Sequence, residues 1–272
     1  MKTHSIRAAF SLFRISTVDN LQYRAAAFSG AVMCVFYALI DITVFTVFYK
    51  YGSNSGSSMS LSLTQMASYI WLKQLMLPPY GICPEFRAKI ENGDIGLELC
   101  RPWNLYTHWF AKLSAWRIGG VWWRSIILVV IALIIPRPYK LGMPVSLPYF
   151  ILFLVSAVTA FVFWAAYHML VTAVRINITW GEGPCVILLL VGEILSGLYF
   201  PLQMWPDFLQ PFLTVQPFAS SFDLPLRFYV GSIAPDQALE AILLQIAWTL
   251  AFIAAGRLIM RRKLEKLIVQ GG

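Results

Sequence analysis

Between Cys83 and Asn104 the sequence reads CPEFRAKIENGDIGLELCRPWN, a charged island between apolar runs. Glu85, Arg87, Lys89, Glu91, Asp94, Glu98 and Arg101 lie here, four of the chain's 13 acidic residues among them, in a protein that is only 12% charged. Acids and bases are mixed without a paired nucleophile and base, so the chemistry on offer is recognition by shape and charge, not bond-making. A second set, Asp41, Lys73, Arg124 and Glu193, is scattered through apolar segments. Charges at membrane depth cost about 2.5–3.5 kcal/mol each on insertion scales, so each must face a cavity, the bundle or a counter-charge. They are candidates either for a substrate path or for structural pairing. His168 stands alone on an apolar helix and reads as a packed residue; His4 and His108 show no partner pattern.

The remaining chemistry is notable for what it excludes. There is no H-E-x-x-H, and Ser196-Gly197 lacks an evident base, so an intramembrane enzyme is disfavoured. Without G-x-x-x-x-G-K-[ST] the chain has no usual loop for nucleotide phosphates. Cys34, Cys83, Cys100 and Cys185 form no C-x-x-C, which implies neither a zinc site nor a disulfide framework.

The elements that position these residues must cross a membrane. The 272-residue chain is 58% apolar and 15% aromatic, and several runs approach the roughly 20 residues that span about 30 Å of hydrocarbon. The fold expected is all-α and polytopic, with spans near residues 25–48, 61–82, 106–135, 147–174, 184–200 and 238–260. The net charge of +8 sits at span ends, as for cytoplasmic flanks, and excludes a nucleic-acid face. Arg14, Asp19 and Arg24 interrupt the apolar core that a signal peptide needs.

Residues 5–22 carry Ile6, Phe10, Phe13 and Leu21 at helical spacing, a pattern for an interfacial helix or for a helix packed on the protein's own cytoplasmic face. The second span is weaker, with Gln65, Lys73 and Gln74, and Pro78-Pro79 should loosen its end. In the third, Lys112, Arg117 and Arg124 are expected to snorkel toward water. Residues 201–236 hold six prolines among large apolar side chains, and read as broken, partly re-entrant short helices. Ala247, Ala251 and Ala255 allow close approach of another helix, within this chain or from a second one. The charge asymmetry places both termini and the island inside, and residues 201–236 outside.

Two stretches resemble a known family. Ile90-Glu91-Asn92-Gly93-Asp94-Ile95, leading to Leu99-Cys100-Arg101-Pro102, is similar to an "I-x-x-G-D-I … L-x-R-P" stretch after the second span in one branch of the type-two ABC transporter permeases. Cys100 and Trp103 depart from that branch's aliphatic or small residues. Ser196-Gly197-Leu198-Tyr199-Phe200-Pro201, Trp205-Pro206, Gln216-Pro217-Phe218, Leu224-Pro225 and Tyr229-Val230-Gly231 resemble its "S-G-x-x-x-P-L … P … P-F … P … G" segment. The resemblance implies one permease domain over residues 1–272, with six transmembrane helices. Residues 1–24 would form a cytoplasmic elbow helix, 83–104 a coupling loop, 201–236 external re-entrant helices and 261–272 a cytoplasmic tail.

By the same resemblance, Glu85, Arg87, Glu91, Gly93, Asp94, Glu98, Arg101 and Pro102 would couple to a separate ATPase. Pro201, Trp205, Pro217 and Phe218 would form an external gate. The implied assembly is an exporter in a bacterial-type inner membrane. Two permease subunits, alike or not, would sit on two copies of an ABC ATPase that carries ATP and Mg²⁺, while this chain binds no cofactor or metal. The alternatives are an ion-coupled secondary carrier, which calls for repeats and acid relays that only Asp41 and Glu193 hint at, and a non-transporting membrane scaffold.

Overall fold

A computed structural model describes residues 24–51, 61–77, 82–101, 103–176, 178, 181–234 and 236–266. The expected elbow helix, the loop at 52–60, Pro78-Pro79, Pro102 and the last six residues lie outside the described residues. Those described form helices and no strand: α1 (Arg24–Tyr51), α2 (Leu63–Met76), α3 (Pro84–Glu91), α4 (Ile95–Leu99), α5 (Leu105–Ile134), α6 (Leu147–Arg175), α7 (Gly183–Leu195), α8 (Gln210–Val215), α9 (Asp223–Val230) and α10 (Ala238–Leu264).

Local chemistry sets the boundaries. Ser62 and Gln65 make a reciprocal capping box at the start of α2, with Ser62 N donating to Gln65 Oε1 at 2.9 Å. Prolines open α3, α6, α7 and α8 within their first turns, where a missing N–H costs nothing. Asn104 caps α5 by accepting from Thr107 N at 3.0 Å. Residues 201–236 resolve into the short pieces their prolines imply: 3₁₀ turns at Leu202–Met204, Asp207–Leu209 and Pro217–Ser220, plus α8 and α9.

Among the described residues three helices are long and apolar enough to cross a bilayer: Phe28–Tyr51 of α1, Leu147–Arg175 (α6) and Ala238–Leu264 (α10). α5 (Leu105–Ile134) follows the bounds of the expected third span, while α2 and α7 fall short of theirs. α2 is 14 residues long and buries every side chain from Met66 to Gln74. The polar residues that weakened it as a lipid-facing span are instead enclosed by protein. α7 stops at Leu195, short of residue 200, because Ser196-Gly197 turns the chain with Gly197 at φ +82°.

The contacts fix which ends lie together. Tyr49 at the end of α1 donates to the Leu61 carbonyl, and Gln65 at the start of α2 donates to the Val230 carbonyl at 2.9 Å. A large core joins α1, α2, α6, α7 and α9. At the opposite end a smaller core gathers Phe86 of α3, Ile95 of α4, Trp109 of α5, Ala173 of α6 and Met260 of α10. The charged island and the C-terminal end of α10 thus share one end of the bundle, and residues 201–231 occupy the other.

Among the described residues α6 and α10 pack along each other most extensively. Gln245 of α10 donates to the carbonyls of Ser156 and Ser220 at 2.9 and 2.8 Å, polar contacts that lock the seam. Ala247 and Ala251 face away from that seam and are exposed.

Candidate functional site

The island folds as two short helices hinged at Asn92-Gly93-Asp94. Gly93 has φ +78°, a left-handed conformation open to glycine at no steric cost. Phe86 anchors α3, fully buried and stacked on Trp109 with centroids 4.5 Å apart and planes 5° from parallel. Around it most of the charges find partners on the island or on neighbouring helices. Glu85 pairs with Lys112 of α5 at 2.5 Å and with Lys89 at 2.9 Å. Glu98 is buried and pairs with Lys89 at 2.6 Å, with Arg101 and His108 at 3.8 Å. Arg87 reaches Glu91 at 3.2 Å and Glu182, just before α7, at 2.8 Å; Glu91 faces Arg175 of α6 at 3.6 Å.

Burial pushes the Glu98 carboxyl up, but the hydrogen bond from Lys89 and the charges of Arg101 and His108 outweigh it and leave it below the ordinary carboxylate value. Glu85 balances the same way, with Lys112 and Lys89 holding it down against burial. Lys89 is drawn down by burial and then raised above its usual value by Glu98 and Glu85.

The outward face differs. Asp94 is exposed, and Leu97, Leu99 and Trp103 are 70%, 45% and 36% exposed. Arg101 lies over the Trp103 ring at 5.4 Å. Of the residues that sequence motifs marked, Glu85, Arg87, Glu91 and Glu98 therefore brace the island against the bundle, while Asp94 and Arg101 face outward. Sequence reasoning missed Phe86, Lys112, Arg175, Glu182 and His108. His108, read as having no partner pattern, stacks on Trp103 at 4.5 Å beside Glu98. The signal available was the cluster of opposite charges at the ends of the neighbouring helices.

The membrane-depth charges are satisfied separately. Asp41 accepts from Lys73 at 2.6 Å, which favours structural pairing for both. Glu193 accepts from Tyr199 Oη at 2.7 Å. Arg124 is buried and donates to the Leu77 carbonyl, and Arg117 is only 1% exposed. Neither arginine snorkels: both lie on the face of α5 that packs inward.

At the other end, Pro201 is buried, and the Trp205 carbonyl accepts from Gln210 at 2.9 Å. Phe218, beside Pro217, meets Phe163, Tyr167 and Phe252 edge to face at 5.0–6.3 Å. Unforeseen was Asp223, buried at the start of α9. It accepts from Tyr69 Oη of α2 at 3.1 Å and Leu202 N at 3.3 Å, with Arg227 at 3.7 Å. It borders a cavity of about 310 Å³ also lined by Gln216, Arg227, Gln237 and Glu240.

Long apolar helices around an enclosed shorter helix fit a multi-pass membrane protein. A family model described as "ABC-2 family transporter protein" matches residues 32–271, and the chain belongs to that family of permeases. Its members are membrane transport subunits, generally not catalytic, that work with an ABC ATPase. No curated protein and no solved structure matches the chain.

Proposed function

We propose that this chain forms the substrate path of an ATP-driven exporter in a bacterial-type inner membrane. It pairs with a second permease subunit, identical or not, and the pair rests on two copies of an ATPase that holds ATP and Mg²⁺. Six spans carry the path, both termini lie in the cytoplasm, and residues 201–236 lie outside, where Pro201, Trp205, Pro217 and Phe218 close the exit. The island at 83–104 is the coupling element.

The observation that carries this reading is the division of the island into two faces. Its inner face is stapled to α5, α6 and the start of α7 by Glu85–Lys112, Glu91–Arg175 and Arg87–Glu182. Its outer face offers Asp94, Leu97, Leu99 and Trp103 to a partner. These pairs and Phe86 on Trp109 seat the island on three helices, and a partner can switch a two-state bundle only by contacting its states differently.

The test is Leu97→Glu with Leu99→Glu, at positions exposed enough to leave folding intact. Membrane abundance should hold while ATPase co-purification and nucleotide-driven export fall together. Full association and export in that variant would reduce the island to a solvated connector. Topology is checked with single cysteines: those at Ser55 and Pro235 should react with an impermeant thiol reagent in intact cells, and one at Gln270 should not.

A further inference from the structure

α5 buries a stripe made of Trp109, Leu113, Arg117, Arg124 and Leu128, at spacings that keep one helical face. Trp109 and Leu113 belong to the small core at the island end, and Leu128 belongs to the large one. The two arginines occupy the interval between these apolar clusters. No acceptor among the described residues reaches Nε, Nη1 or Nη2 of Arg117. A guanidinium keeps its charge in proteins and offers five N–H donors. Burying one without a counter-charge is a costly arrangement, tolerated where something else supplies the charge.

The surroundings are short of acids. α2, α5 and α6 carry none, the single carboxylate of α1, Asp41, is engaged by Lys73 at 2.6 Å, and the ionisable group beside Arg117 is the Cys83 thiol. Gly119-Gly120 falls between the arginines, the weakest helix-forming pair in α5 and the easiest place for it to bend. Arg117 is enclosed by its own chain, not turned to the outer surface where a second subunit would sit.

We infer that Arg117, with Arg124 two turns on, is an intramembrane site for the anionic head, phosphate or carboxylate, of an apolar solute, reached when α5 moves during transport. The apolar clusters on either side of the arginines suit the solute's body, and the guanidinium forks suit its oxygens. This rests on the permease reading and adds to it the charge class of the cargo.

The experiment uses the full chain co-purified with its ATPase in phosphatidylcholine nanodiscs. Four probes share a dodecyl tail: dodecyl phosphate, laurate, dodecyltrimethylammonium and dodecyl maltoside, each below its micelle concentration. Thermal midpoint and ATPase stimulation are read for each. Both anions should act at concentrations about tenfold or more below the cation and the neutral probe. Arg117→Met should abolish that preference and raise the probe-free midpoint by about 2–4 °C, because an apolar side chain replaces an uncompensated charge. Arg117→Lys should keep part of the preference. Competition by phosphatidylglycerol in the discs supports the site and assigns its occupant to membrane lipid; no competition supports a soluble occupant. Equal response to all heads, or a preference that Arg117→Met retains, overturns the inference. So does a lowered probe-free midpoint with loss of a protein partner, since Arg117 then holds a protein carboxylate. A wild-type chain that fails to co-purify with any ATPase refutes the permease reading instead.

Discussion

Phe86→Ala, made in a Cys100→Ser background, tests whether the island is a docked and separable element. Truncating a buried phenylalanine costs about 3–5 kcal/mol, and Phe86 is fully buried against Trp109. The ion pairs around it are partly exposed, with the Glu85 and Lys112 side chains 39% and 27% accessible, and such pairs contribute about 0–1 kcal/mol each. Phe86 is therefore the dominant anchor of α3. Losing about 3 kcal/mol from docking raises the undocked population about a hundredfold, since 1.4 kcal/mol is a factor of ten. Cys83, at the N-cap of α3, reports that opening: it is 6% exposed and burial pushes its thiol above the ordinary value. Undocking exposes it and restores its acidity together. Cys34 and Cys185 are buried elsewhere and stay silent. Maleimide labelling of the purified chain should speed up about a hundredfold at Cys83, ATPase co-purification should fail, and the thermal midpoint of the main bundle should hold. Labelling at the wild-type rate with the ATPase still bound would refute the reasoning.

Three further outcomes follow from the same geometry. Gly93→Val places a β-branched residue at φ +78° with no steric neighbour within 4 Å, so the cost of about 1–2 kcal/mol is backbone alone; ATPase association should drop with membrane abundance unchanged. Lys73→Met strips Asp41 of its partner and should lower the unfolding midpoint. The cost falls below the about 3–5 kcal/mol of a fully buried pair because Asp41 is 30% accessible, and adding Asp41→Asn should restore the midpoint. The clamp also has a pH window. Glu85 and Glu98 are depressed below 4.5, so their contribution is complete above 4.5 and disappears as pH falls through their folded values. Lys89 is raised above 10.5, so its share is complete below 10.5 and disappears as pH rises past its folded value. Cys83 protection from a pH-insensitive thiol reagent should be flat in the neutral range and collapse in acid, and Glu98→Gln should weaken it at neutral pH.

Length and hydropathy were enough to place α1, α5, α6 and α10, because an apolar stretch of that size has few other places to go. Chemistry specific to one residue was also legible: prolines broke 201–236 into pieces, and Gly93 took the left-handed turn. What depended on tertiary partners was not. Gln65, Lys73 and Gln74 lowered the hydropathy of the second span, yet nothing local said that α2 would be enclosed by protein. Arg117 looked like a snorkelling interface residue because tryptophans surround it in sequence. The spacing Leu113, Arg117, Arg124, Leu128 held the better clue, since it puts the arginines on the buried face. Asp223 could have been flagged as the acid opening α9, but its link to Tyr69 spans 154 positions. The inward turn of Glu98 likewise needed His108 and Lys89 in three dimensions.

The unequal helix lengths have a mechanical consequence. α1, α6 and α10 run 28, 29 and 27 residues, about 40–44 Å at 1.5 Å per residue, long enough to cross about 30 Å of hydrocarbon with their charged ends among the headgroups. α2, at 14 residues, rises only about 21 Å and is wrapped by its neighbours along most of its length. A change in bilayer thickness therefore acts on the tilt of the outer helices, at fractions of a kcal/mol per ångström, and leaves the central one unloaded. Because α1 and α6 pack on the core that encloses α2, acyl-chain length is expected to bias how the outer helices lean on it.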